Sequence, residues 1–308
     1  MKALIKSLYQ FIKEDFNLTL YLKVILFTSV LIFIEYYFNT YSLYKDKYVF
    51  DNKIYIVNFI AFSIAYYGII GILRTDKNCK IRLSLEFWLK SFISLAIASV
   101  YIGYFGYYGI DLGMPYPESR FYVYTADNLS GIFTMLIPIF LVYLIFDRNK
   151  ENPFYGMNFK NFNYKIAILL LFIAVGISYV GSHFESISNY YPILDRTAYE
   201  AFSKKYNLPV LLSAGIFEAA YMTDFVMIEL FFRGVMIFGF VKLLGKKAIL
   251  PVATLYAVIH FGKPLPETIS SFFGAYILGI VAYNQKNIGI GVVLHCALAL
   301  SMEIFTLR

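Results

Sequence analysis

The sequence predicts an all-α fold: a polytopic transmembrane bundle of about eight or nine helices that cross or enter a bilayer. Three observations predict it. The chain of 308 residues is 59% hydrophobic and only 15% charged, against about 25% charged in ordinary globular domains. Apolar runs recur from residue 20 to the end, each close to the ~20 residues a helix needs to cross a hydrocarbon core. The alternating ~10-residue segments of a membrane β-barrel are missing. The net charge of +7 comes from Lys and Arg scattered over many short loops. It therefore speaks for membrane orientation and not for nucleic acid. Tyr36, Tyr37, Tyr41, Tyr104, Tyr107 and Tyr108 lie near segment ends, where an amphipathic ring suits the membrane interface. Cys79 and Cys296 suggest neither a disulfide framework nor a metal pair.

Each element follows from its pattern. In residues 1–14, Leu4, Ile5, Leu8, Phe11 and Ile12 make one face, with Lys2, Lys6 and Lys13 around the other, which predicts a helix lying in the interface. Spans are expected at 20–38, 54–73, 87–109, 129–146 and 165–181. A loop over 110–128, broken by Pro115 and Pro117, separates the third from the fourth. Residues 182–208 are the longest polar connection, with room for a short helix. The apolar stretch 209–243 is one long helix, or two joined near Thr223-Asp224. Segments 248–261, 267–284 and 287–306 complete the count. With the N-terminus inside, the inner loops hold 15 Lys and Arg and the outer ones 9, so the bias places the N-terminus in the cytoplasm.

Ionisable groups in a bilayer core are expensive, and several together usually line a site. Glu229, Arg233, His260 and His295 all sit inside apolar runs. At ~1.5 Å of rise per residue, Glu229 lies roughly 21 Å from the inner end of its helix, His260 roughly 18 Å and His295 roughly 12 Å. Three helices thus bring a carboxylate and two imidazoles to a similar level. Glu229 and Arg233, four apart, share a face. Neither a G-x-S-x-G elbow nor an H-E-x-x-H motif is present. Two chemistries stay open: Glu229, His260 and His295 as a His₂Glu zinc set, or Glu229 as a general base on water with the histidines at the oxyanion. Both point to hydrolysis of an amide in or near the membrane. A proton-relay transporter is the third reading, opposed by the missing internal repeat.

Plainer readings compete residue by residue. Glu229 and Arg233 can be a helix-stabilising pair, and a membrane His is often an interhelical hydrogen bonder. The segment Gly274–Gly279 reads as close helix packing. Glu218, Asp224 and Glu303 are interfacial or line the cavity. His183 is solvated in its loop, and Lys263 and Glu267 stand at the mouth after His260.

Glu229-Leu230-Phe231-Phe232-Arg233-Gly234 resembles the E-E-x-x-x-R motif of the CPBP (CAAX protease and bacteriocin-processing, or Abi) family, which includes the type II CAAX prenyl endopeptidases. Tyr256-Ala257-Val258-Ile259-His260 resembles its F-x-x-x-H, and His295 to Ala299 its H-x-x-x-N. The resemblance covers residues 209–306, so the chain divides into unrecognised helices over 1–200 and a protease-like core over 201–308. It implies a hydrolase acting in intramembrane proteolysis. The catalytic set is Glu229, Arg233, His260 and His295, with Glu229, His260 and His295 as metal ligands if a metal such as Zn²⁺ is used. It implies a membrane-associated peptide or protein substrate, a bacterial cytoplasmic membrane and no nucleic acid. Two positions depart from the pattern: Ile228 stands where the family has its first Glu, and Ala299 where it has Asn. Glu303, two turns after His295, is the candidate for a compensating polar group. The alternative is an impaired member acting as an immunity factor or binding scaffold.

Overall fold

The structure is a computed structural model that describes residues 2–77, 79–110, 113–148, 153–157 and 162–307. Side chains are described from residue 8 onward within the first helix, so the predicted faces of Lys2, Leu4, Ile5 and Lys6 lie outside the described residues, as do Lys150 and Lys160. The described chain is helical throughout, without a strand. Among the described residues, seven helices are long and apolar enough to cross a membrane.

The first helix, α1 (Lys2–Asp15), lies against one end of the bundle. Phe11 is buried edge-on to Tyr283, and Lys246 and Lys247 pair with Glu14 and Asp15. Helix α2 (Leu18–Phe38) starts where the Asn17 side chain accepts from the Leu20 amide at 3.2 Å, satisfying one of the amides a helix start leaves free. Leu22, Leu26 and Phe33 point outward while Val24, Thr28 and Glu35 point inward. An apolar outer face and a partly polar inner one are what a lipid-facing helix requires. After α3 (Thr40–Lys47), α4 (Lys53–Arg74) and α5 (Leu85–Gly103) repeat the arrangement. Helix α6 runs Glu118–Asp147, eleven residues ahead of the expected start. Proline at a helix start costs no hydrogen bond, so the helix begins directly after Pro117 and the expected loop is shortened from its far end.

Helix α7 (Tyr164–Gly181) packs on the last helix, where Ser178 Oγ donates to the Leu298 carbonyl at 3.0 Å. The connection that follows holds a short helix, α8 (Tyr199–Tyr206), as expected. Helix α9 (Val210–Glu229) passes Thr223-Asp224 unbroken and continues as a nine-residue π-helix, Leu230–Phe238. Its end is held by Lys90, which donates to the Gly239 carbonyl at 2.7 Å and pairs with Asp147. Asp147 also accepts from the Tyr155 hydroxyl at 2.5 Å. Helix α10 (Ile249–Val258) is buried at all ten residues. Its length of ~15 Å reaches only halfway across a ~30 Å core. Helix α11 (Leu265–Gln285) returns along it, and α12 (Gly289–Thr306) closes the bundle. The expected count of eight or nine thus resolves into seven spans together with α9 and the half-length α10.

Hydrogen bonds across residue 200 bind the early helices to the late ones. Thr28 meets Thr254 at 2.9 Å, Tyr36 meets Thr268 at 2.5 Å, and Tyr101 donates to Asp224. The two expected glycine contacts differ. A Cβ at Gly279 would meet Ile249 at 2.8 Å, whereas Gly274 has nothing within 4 Å. Close packing therefore holds at Gly279 and not at Gly274.

Candidate active site

Glu229 closes the regular part of α9, and Arg233 follows one turn later in the π-helix, so both point the same way into the bundle. Neither has appreciable solvent-exposed surface. The Arg233 Nη1 lies 2.9 Å from Glu229 Oε1. This is an ion-pair distance without hydrogen-bond alignment, since Arg233 Nε and Nη1 and Glu229 Oε2 lack hydrogen-bond partners among the described residues. The guanidinium rests 4.8 Å above the Tyr256 ring, a cation–π contact that desolvation strengthens.

His295 enters from α12 against the Phe225 ring, centroids 4.6 Å apart. Its Nδ1 lies 3.0 Å from Glu229 Oε1 and its Nε2 lies 2.9 Å from the Tyr256 hydroxyl. A carboxylate only accepts, so Nδ1 carries the proton and Nε2 accepts from the tyrosine. Both ring nitrogens are thereby engaged. Room for this contact comes from Gly291, one turn earlier, where a Cβ would sit 2.1 Å from Glu229 Oε2.

His260 behaves differently. It lies just past the end of α10, in the turn to α11. Its Nδ1 faces the Tyr256 carbonyl at 2.7 Å and must donate there, which leaves the Nε2 lone pair facing outward in the neutral ring. Nε2 lies 4.0 Å from Glu267 Oε1. Glu267 is held by Lys263 at 2.8 Å and by the Tyr191 hydroxyl at 3.1 and 3.3 Å. The turn is fixed by Tyr36 donating to the Lys263 carbonyl at 2.6 Å and by Thr268 donating to the His260 carbonyl at 2.8 Å. Gly262, at φ 87°, supplies the left-handed residue that reverses the chain. A cavity of about 460 Å³ opens beside it, lined among others by Ile259, Phe261, Lys263, Lys45 and Tyr190.

Glu229, Arg233 and His295 are thus in direct contact, and Tyr256 joins them to His260 through its hydroxyl, its ring and its carbonyl. Sequence reasoning placed Tyr256 only as a substitute for Phe and missed Gly291. The signal for Gly291 was a glycine four residues before the site histidine. Lys263 and Glu267 do flank His260. Glu303 does not act as a compensating group: its two oxygens accept from the Ile193 and Leu194 amides at 2.8 and 2.9 Å, tying the 182–198 connection to α12. Ile228 packs into the hydrophobic core, and Ala299 is buried.

The residues do not fit the His₂Glu zinc set in this arrangement. A ligating histidine must offer a lone pair to the metal, and both nitrogens of His295 are spent within the cluster, while His260 turns toward Glu267. Among the described residues no three His, Cys, Asp or Glu side chains are grouped to hold a metal ion.

No curated protein and no solved structure matches the chain. The stretch that supplies Glu229, Arg233, Tyr256, His260, Glu267, Gly291 and His295 does match a family: residues 208–301 fit the model of the type II CAAX prenyl endopeptidase Rce1-like family.

Proposed function

We propose that the protein is an intramembrane endopeptidase that hydrolyses a peptide bond of a membrane-associated peptide or protein. Residues 201–308 would carry the chemistry and residues 1–200 the surrounding helices. The observation that supports this is the contact of Glu229, Arg233 and His295 inside a bundle of apolar helices, next to a second histidine with a free nitrogen. An unpartnered charge in such a setting is costly, and this cluster pairs its charges within the bundle.

The geometry favours a division of labour different from a Glu229-activated water. Glu229 has no exposed surface, so water does not reach it in this arrangement. It instead fixes the tautomer of His295 and holds Arg233, giving a preorganised field beside the reacting carbonyl. The side chains of His260, His295 and Glu267 retain 10%, 15% and 21% exposure, whereas Glu229 and Arg233 retain almost none, so Glu267 is the carboxylate beside a site histidine that water can meet. The proposed mechanism needs no metal. The arginine and lysine bias supports a cytoplasmic membrane with the N-terminus inside. The second reading, a member that binds a membrane partner without cleaving it, draws on Ile228 and Ala299, which leave two motif positions without polar groups.

The test is cleavage of a membrane-peptide library by purified protein in proteoliposomes, with and without EDTA. Wild type should cleave, Glu229→Gln and His260→Ala should each lose at least ~100-fold, and EDTA should change nothing. Inert wild type that gains cleavage on Ile228→Glu with Ala299→Asn would select the binding reading. Cleavage abolished by EDTA and restored by zinc would overturn the metal-free mechanism.

A further inference from the structure

We infer that Glu267 is a catalytic residue that holds the nucleophilic water jointly with His260; this rests on the peptidase reading above. The 4.0 Å between His260 Nε2 and Glu267 Oε1 is too long for a direct hydrogen bond and suits one bridging water. The two groups are oriented for it from behind. His260 Nδ1 is committed to the Tyr256 carbonyl, so Nε2 can only accept. Glu267 is anchored by Lys263 and Tyr191, from the turn before its helix and from the connection before α8. The cavity on this turn is walled by Lys263, Phe261 and Gly262 and not by the pair itself, but both side chains keep exposed surface, 10% for His260 and 21% for Glu267. Glu229, the other carboxylate in contact with a site histidine, has no such access.

The step balances without a co-reactant. The water oxygen bonds to the scissile carbonyl carbon as Nε2 takes one water proton, and Glu267 remains an ionised acceptor for the other. The tetrahedral intermediate collapses by breaking its C–N bond, and the Nε2 proton leaves on the amine.

The test has two arms on the full chain in proteoliposomes. In the first, Glu267→Gln should lower kcat at least ~100-fold with KM within about threefold, the mark of a group acting in the transition state. Glu267→Asp should recover part of the rate. In the second, diethylpyrocarbonate labels neutral, accessible imidazole nitrogens, read by peptide mass spectrometry. His183 is exposed and serves as the reactive control, while His295, at 15% side-chain exposure, should resist because both its ring nitrogens are hydrogen-bonded. Glu267→Gln should leave His260 labelled at pH 7 to the same extent as in wild type, so that a fall in kcat reports the missing carboxylate and not a displaced histidine. Full kcat in Glu267→Gln, or a His260 unreactive in wild type, overturns the proposal. If wild type cleaves nothing, the peptidase reading and the catalytic role fall together, and the labelling arm separately decides whether His260 presents an open nitrogen.

Discussion

Gly291→Ala isolates the geometry of the buried centre with one methyl group. In the interior of a helix this change ordinarily stabilises by ~1 kcal/mol, since alanine has the higher helix propensity. At Gly291 the new Cβ would lie 2.1 Å from Glu229 Oε2, well inside the separation any real side chain tolerates. The carboxylate has nowhere to go: Arg233 and His295 hold Oε1 at 2.9 and 3.0 Å, and the group is fully buried. Overpacking of this kind costs about 1–3 kcal/mol, and breaking a buried pair costs about 3–5 kcal/mol. Subtracting the propensity gain leaves a net loss of roughly 2–4 kcal/mol. For a chain of this length that corresponds to a Tm lower by about 4–8 °C, measured by circular dichroism in detergent. Gly274→Ala, where nothing lies within 4 Å, should move the other way by up to ~1 kcal/mol. In a Glu229→Ala background the clash is removed, so Gly291→Ala should cost nothing further, giving a coupling of at least ~2 kcal/mol. A Gly291→Ala protein as stable as wild type, or effects that simply add in the double variant, would refute the packing of Glu229 against α12.

Two other predictions concern the frame. Lys90→Met removes the cation that pairs with the buried Asp147 and should destabilise by about 3–5 kcal/mol. Lys90→Met combined with Asp147→Leu should regain most of it in the same melting assay, and a double variant no better than the single would sink the idea of a buried ionic clamp on the π-helix. The docking of α1 should depend on pH. Its pairing with Lys246 holds the Glu14 carboxyl below its ordinary 4.5, so this contribution is complete above pH 4.5 and is lost as pH falls through the lower, folded value. Hydrogen exchange of residues 8–15 should quicken below that point in wild type. Lys246→Gln should show the faster exchange at every pH; a wild-type profile shared by the variant would argue that Glu14 contributes nothing.

The spans were legible because their signal is local. A run of some twenty apolar residues has few alternatives once hydrogen bonding in lipid demands a helix. The proximity of Glu229 and His295 was legible because helix rise converts residue counts into depth, and depth is the one coordinate that membrane helices share. The direction a ring faces obeys no such rule. His260 and His295 occupy similar levels, yet one is closed by two hydrogen bonds and the other left open. The difference is made by Tyr256, which lends its hydroxyl to one histidine and its carbonyl to the other. Those are two roles for one residue, which a motif position cannot display. The half-length of α10 was hidden for a related reason, since apolar content alone does not distinguish a helix facing lipid from one enclosed by protein.

The same contrast bears on how the site would work. A carboxylate sealed between a guanidinium and an imidazole interacts strongly because no water screens it, but it cannot meet a water that must also reach substrate. An imidazole with one nitrogen left open can meet that water but needs a neighbour to orient it. Placing the first function on Glu229, at the end of the regular part of α9, and the second on the turn after α10 satisfies both demands, and Tyr256 keeps the two at a fixed distance. A Tyr256→Phe variant separates them most sharply. It keeps the ring beneath Arg233 and the carbonyl for His260, and removes only the hydroxyl that occupies His295 Nε2. His295 should then become reactive to diethylpyrocarbonate while His260 labels as before. A His295 that stays inert would mean that the hydroxyl is not what closes it, and the proposed division between a histidine with both nitrogens engaged and one with a nitrogen left open would fail.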